Sequence, residues 1–481
     1  MSFSFVRAPS RGRRSSAKTS PSTLRLAVYS LLCAVSTAGC VLAPAGLSDE
    51  RSSADDAGAP YERAPEERAH PELSERPDWR ELLARAFAAN GDIEAGYFEW
   101  RAAIERVSIA AGWPDTNLMP SLSYLFSGGS MKAWDRTTVG FGFDPMQNLS
   151  LPSKARKAGE VALAEAREAG RRFAAAKFAL QRQVLDNWLE LALLEERTRI
   201  QEERVALATL AAGNAEQRAS VNGDQRYLLR AQVERREAEV DLEGVRAAAR
   251  ASRATLNAML ARDGDAPLEL ESALPERRAP SVGDAELISA GVENNPELQA
   301  LALTASARER ALELARLQYL PDFNPFMGFT GSVQQMLGVG VSLPTRLPQI
   351  RAGIREAKAM LGGARAELRQ MRLDRRSSFV AALYMLRFSE LQTEALTLEI
   401  GPAADQVAGS ADQAYATGMA TFLELIEAQR VLLDIRLAIA EARIERERRL
   451  AEIEQLGGFD VETLSGGSRV PASETETNGH E

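Results

Sequence analysis

The 481-residue chain is short of the residues that most often carry chemistry. It has two histidines, His70 and His480, both in polar stretches near the ends. That excludes a histidine-based metal centre and a Ser-His-Asp arrangement. It has two cysteines, Cys33 and Cys40, close together near the start, so neither a disulfide framework nor a cysteine zinc site can be built. After residue 40 no apolar run approaches the length of a membrane-spanning helix. A surplus of positive charge is also missing. The net charge of −9 argues against nucleic acid as the main partner. No nucleophile, base and orienting group can be assembled from motifs, so the chain is read as no enzyme, with no cofactor and no metal site.

Alanine, arginine, glutamate and leucine dominate what is present, in very long stretches without proline. The N-terminus comes first. Residues 1–25 carry Arg7, Arg11, Arg13, Arg14, Lys18 and Arg25 and no acid, and Leu26 to Val35 is a short apolar run. Residues 1–39 therefore read as a secretory signal. Ala38-Gly39-Cys40 resembles a lipobox, with Thr37 where leucine is usual, which implies lipidation of Cys40 and a lipid-held N-terminus. Residues 40–77, rich in Pro, Ala, Glu, Arg and Ser, read as the lipidated N-terminus and an extended linker.

From Asp78 the pattern is written twice, over 78–262 and 284–457, with a Pro/Gly-rich linker at 263–283 and a disordered tail at 458–481. Each copy predicts a helix, two short strands, a very long helix, a turn and a closing helix. In the first copy the opening helix is expected over Trp79–Ala111. Leu122, Tyr124 and Phe126, then Val139, Phe141 and Phe143, alternate with serine, threonine and glycine, the period-two signature of strands with one apolar face. A proline-free helix follows to about Ala219, then Asn222-Gly223-Asp224 turns the chain. In the second copy the opening helix is expected over Asp284–Leu317. Its strands are Phe323–Thr330, interrupted by Pro325, and Leu337–Leu343. Its long helix carries one internal proline, Pro402, where a kink is expected. Phe141, Phe143, Phe326 and Phe329 are expected on lipid or between strands.

The second turn is the most informative stretch. Gly418 permits reversal of the chain, Thr421 can cap the next helix, and Glu424 completes a capping box. Glu427 lies three residues on, so the two carboxylates share one helix face beside the turn. An exposed four-stranded sheet with an apolar face is unstable alone. Pooling strands from three chains would close it into a twelve-stranded barrel.

Asn294-Asn-Pro-Glu-Leu-Gln-Ala300, Tyr319-Leu-Pro-Asp322, Gly338-Val-Gly-Val-Ser-Leu-Pro344 and the 415–430 turn together resemble the TolC-type outer membrane efflux factors. The first copy departs at Ala89-Asn-Gly-Asp-Ile93, and the aromatic-Gly-Gly ending of the second and fourth strands is replaced by Phe143-Asp-Pro145 and Leu343-Pro-Thr345. The resemblance implies a mainly α chain with a small β part: a duplicated long-helix rod with four strands, whose homotrimer forms a twelve-stranded β-barrel and an α-helical tunnel. It implies a passive export duct in the outer membrane that extends into the periplasm. The duct would dock to a periplasmic adaptor and an inner-membrane efflux transporter. It further implies that Glu424 and Glu427 line the periplasmic aperture, and that the tips Asn222, Gly223, Asp224 and Thr417, Gly418, Met419 meet the adaptor. The competing reading is a periplasmic coiled-coil lipoprotein without channel activity.

Overall fold

The computed structural model describes residues 43–64, 67–68, 70–112, 118–126, 130–143, 149–222, 225–270, 278–280, 282–332 and 334–462. Cys40, Gly223 and Asp224 lie outside these residues, and Asn222 is the last residue of a helix whose side chain is not described.

A short helix, α1 (Leu47–Gly58), precedes the rest. The order helix, helix, strand, strand, long helix, helix then occurs twice. The first set is α2 (Trp79–Ala89), α3 (Gly91–Ala111), β1 (Leu118–Tyr124), β2 (Thr137–Phe143), α4 (Pro152–Asn222) and α5 (Gln225–Met259). The second is α6 (Asp284–Glu293), α7 (Pro296–Leu317), β3 (Asp322–Thr330), β4 (Gln334–Ser342), α8 (Leu347–Glu394) continuing through α9 (Gly401–Ala416), and α10 (Phe422–Gly457). Two compact units result. One contains Ser108–Gly159 and Leu320–Pro344 and holds the sheet; the other contains Gly46–Val107, Glu160–Tyr319 and the residues from Thr345 and is helical.

In the sheet unit the strands form an antiparallel meander in the order β1-β2-β3-β4. The register puts Leu122 opposite Val139, Val139 opposite Phe329, and Met327 opposite Leu337, so these residues share one face. The other face carries Ser121, Ser123, Thr138 and Thr330 together with Gly140, Gly142, Gly328, Gly338 and Gly340. The apolar face is exposed in the single chain: Leu122 is 75% exposed and Leu337 83%. Phe326 departs from expectation. It pairs with Gly142 and Gly338 and therefore sits on the glycine face, apart from Phe141 and Phe329. Pro325 interrupts nothing. The β2–β3 ladder ends at Phe326, and Phe323 N–H donates to Leu149 on that same side, so the donor that Pro325 lacks falls in the gap between them. At the loop end of the sheet, Ser332 donates from its N–H (2.9 Å) and its hydroxyl (2.6 Å) to the Asp135 carboxylate, tying the two hairpin loops together.

The helical unit differs from the sequence reading in four places. The opening helices are each broken once. Asn90 Oδ1 accepts from Asp92 and Ile93 N–H, and Asn295 Oδ1 accepts from Leu298 N–H, so each asparagine caps a new helix. Asn90-Gly-Asp thus does in the first copy what Asn295-Pro-Glu does in the second. Within 40–77, α1 is a folded helix rather than extended linker. Glu50 accepts from Trp100 Nε1 at 2.9 Å and Arg51 pairs with Glu105 at 3.1 Å. Residues just past 457 are core: Phe459 and Val461 are buried with Phe379, Leu383, Leu386, Leu450 and Ile453. At Pro402 the strain is taken up by a π-helical turn, Ala395–Ile400, in which Gly401 N–H reaches back to Leu396 C=O. The added residue moves the proline ring off the carbonyl it would otherwise meet.

Candidate functional site

The turn between α9 and α10 is built by local hydrogen bonding. Met419 and Ala420 N–H both donate to Ala414 C=O (2.8 and 3.0 Å), and Gly418 N–H donates to Tyr415 C=O (3.0 Å). Gly418 takes φ +76°, the left-handed conformation that ends a helix and that a side chain would strain. Thr421 then caps α10. Glu424 N–H donates to Thr421 Oγ1, and Glu424 Oε2 accepts from Thr421 N–H at 2.7 Å, a complete capping box. Tyr415 and Phe422 rings pack across the turn, 5.8 Å apart. Met419, 80% exposed, stands at its apex.

Glu424 and Glu427 are both exposed, flanking buried Ile426. The Thr421 N–H, and after it the Thr421 hydroxyl, hold the Glu424 carboxyl below the usual range, so it stays charged. Behind them Arg430 donates to Glu234 of α5 at 2.8 Å, and Gln429 to Asp412 of α9 at 3.2 Å. The Arg430 hydrogen bond holds Glu234 below its ordinary range too. Further along, charged pairs join α10 to α4: Glu441 to Arg197 at 2.6 Å, Arg436 to Glu203 at 3.4 Å, and Asp434 to Arg204. The start of α10 is therefore linked to α5, and its middle to α4, by arginine–carboxylate contacts.

A second ionic cluster, missed in the sequence, lies at the other end of α10. Arg278, from the segment read as linker, donates Nη1 to Glu454 Oε1 (3.0 Å) and Nε to Glu447 Oε2 (3.2 Å), and its guanidinium lies over the Trp79 ring at 5.2 Å. Arg446 bonds Glu447 and the Arg278 carbonyl, and pairs with Glu390 at 3.5 Å. Burial pushes Glu447 up and pushes Glu454 up to about 6. Glu454 is 2% exposed and its Oε2 has no hydrogen-bond partner among the described residues. A hint was available in the composition of α10, whose last turns carry both arginine and glutamate at core spacing. Among the described residues no group of three or more His, Cys, Asp or Glu is placed to hold a metal ion. No helix among them is long and apolar enough to cross a membrane.

Residues 287–458 match the family model described as outer membrane efflux protein. The cobalt-zinc-cadmium resistance protein CzcC of Cupriavidus metallidurans is 24% identical over 269 residues. That match covers 54% of this chain and 62% of the relative's length. The outer membrane protein VceC of Vibrio cholerae superposes with a TM-score of 0.64 at 17% identity, over 79% of this chain and 96% of that one. The CmeC outer membrane channel of Campylobacter jejuni does so with a TM-score of 0.64 at 12% identity, over 85% and 94%. At such identities a shared structure establishes the fold. Residues 287–458 therefore resemble the outer membrane efflux proteins, and they do so within a chain that carries the TolC-type fold.

Proposed function

We propose that the chain is the outer membrane channel of a tripartite efflux system, a passive duct for small molecules or metal ions. The observation that carries this is the two-faced sheet. One face is apolar and bare in the single chain; the other is mostly glycine, serine and threonine, with Met119, Phe326 and Met336 as its large apolar members. Pooling three such sheets into a twelve-stranded barrel would put the first face on lipid and leave the second around a water-filled lumen. A coiled-coil tether has no use for such a sheet. The protein would be a homotrimer in the outer membrane, lipid-anchored through Cys40 and extending into the periplasm. The N-terminal signal, residues 1–39, would be removed. A periplasmic adaptor would meet the tips at Asn222, Gly223, Asp224 and at Thr417, Gly418, Met419, and an inner-membrane transporter would supply the energy.

At the entrance, Glu424 and Glu427 would form carboxylate rings that attract cations and resist anions. The relative's name, which attaches to cobalt, zinc and cadmium, fits a cation as cargo. Opening would be a realignment of α9 and α10 that parts the Arg430–Glu234 contact. Recordings from single channels test this. Glu424→Gln with Glu427→Gln should cut cation over anion selectivity, and unchanged selectivity removes both residues from the entrance. Gly418→Glu with Gly223→Glu should abolish export at normal trimer levels if the adaptor docks at the tips.

A further inference from the structure

Phe326 is the one aromatic residue on the glycine-bearing face of the sheet among the described residues. Its cross-strand neighbours there are Gly142 on β2 and Gly338 on β4. A Cβ placed on Gly338 would stand 2.8 and 2.9 Å from ring carbons Cε1 and Cε2, and nearer still to Cζ. The ring therefore lies flat over the bare backbone of Gly338, in space that any side chain would take. On the other flank, a Cβ on Gly142 would meet the Phe326 Cβ at 3.3 Å. Gly328 and Gly340 show only ordinary contact distances, and at Gly140 the close atom is the Ser121 hydroxyl, so among these glycines only Gly338 and Gly142 make room for an aromatic side chain. Though so seated, Phe326 remains 40% exposed on a face otherwise made largely of glycine, serine and threonine.

We propose that Phe326 is a permeation-determining residue, with Gly338 and Gly142 as the wall positions that keep its ring out of the water path. This rests on the channel reading, in which the glycine-bearing face lines the lumen. A ring lying on the strand takes little of the cross-section and offers passing cargo one aromatic, π-faced foothold per chain, beside the thioethers of Met119 and Met336. A ring denied both wall positions has no direction left but away from the sheet, into the lumen. Small residues at 142 and 338 thus set the width of the duct at this level by what they allow Phe326 to do.

The test is unitary conductance of the full-length trimer in planar bilayers. Gly142→Ala with Gly338→Ala should lower conductance roughly twofold. Adding Phe326→Ala to that pair should restore it to the wild-type value or above. The proposal is overturned if the glycine pair conducts like wild type, or if removing the ring fails to rescue it. Should the glycine variants not assemble, Phe326→Cys and Phe329→Cys are compared under a bulky, water-soluble thiol reagent. Loss of conductance at 326 alone is expected, and loss at 329 alone overturns the assignment. Wild-type trimers that give no unitary conductance would overturn the channel reading itself.

Discussion

Glu424 and Glu454 belong to one helix, thirty residues apart, and their surroundings move them in opposite directions. Glu424, at the exposed start of α10, accepts two hydrogen bonds from Thr421 and is held below the ordinary carboxylate range. Glu454, at the buried end, shares Arg278 with Glu447, yet burial outweighs that cation and lifts it to about 6. The lesson concerns division of labour. The tip keeps a charge ready in water. The far end locks charge into the packing, where Arg278 joins the 278–280 segment, α10 and Trp79 of α2.

The largest effect expected from breaking this contrast comes from Arg278→Leu. Two buried carboxylates would lose their common cation, at a cost of about 3–5 kcal/mol. Denaturant unfolding measures it, and a loss under about 1 kcal/mol would make the cluster no different from a surface pair. Next in size is Glu454→Gln. Folding raises the pKa of Glu454 from about 4.3 towards 6, so between those values the folded chain binds more protons than the unfolded one. Its contribution to stability is fully present below about 4.3 and is lost as pH rises through about 6. The amide should therefore stabilise the protein at pH 7 by up to about 2 kcal/mol and flatten stability between pH 4 and 6. A variant less stable than wild type at pH 7 would sink this account.

Smaller still is Thr421→Ala at the tip, worth about 1 kcal/mol, with faster amide exchange at the start of α10 and a Glu424 carboxyl returned towards its ordinary pKa. The sign at Glu424 is reversed. Its stabilisation is present above the unfolded pKa and is lost as pH falls through the depressed one. The smallest effect belongs to half-exposed pairs such as Arg197–Glu441, where a double-mutant cycle should return about 0.5 kcal/mol or less.

What could be read beforehand follows the same division. The capping box at Thr421 and the turn at Gly418 are local devices, written in four or five consecutive residues, and their geometry was legible. So was the alternation of β1, β2 and β4. Features that depend on distant partners were not. Arg278 looks like a linker residue until Glu447 and Glu454 arrive from α10. Phe459 and Val461 look like tail until the Phe379 ring covers them. Asn90 was passed over because a helical pattern without proline runs through it, although Asn-Gly-Asp is itself a capping signal. Phe326 was assigned with its aromatic neighbours because Pro325 hid the strand's register.

If Cys40 carries the proposed lipid, the folding of α1 has a consequence for that anchor. Six residues separate Cys40 from Leu47, seven Cα-to-Cα steps, and there the helix held by Trp100 and Glu105 begins. Fully stretched, that leash spans at most about 25 Å. An acyl chain on Cys40 would therefore fix the standing height of α1 to within one leash length of the bilayer surface, acting as a gauge rather than a loose mooring.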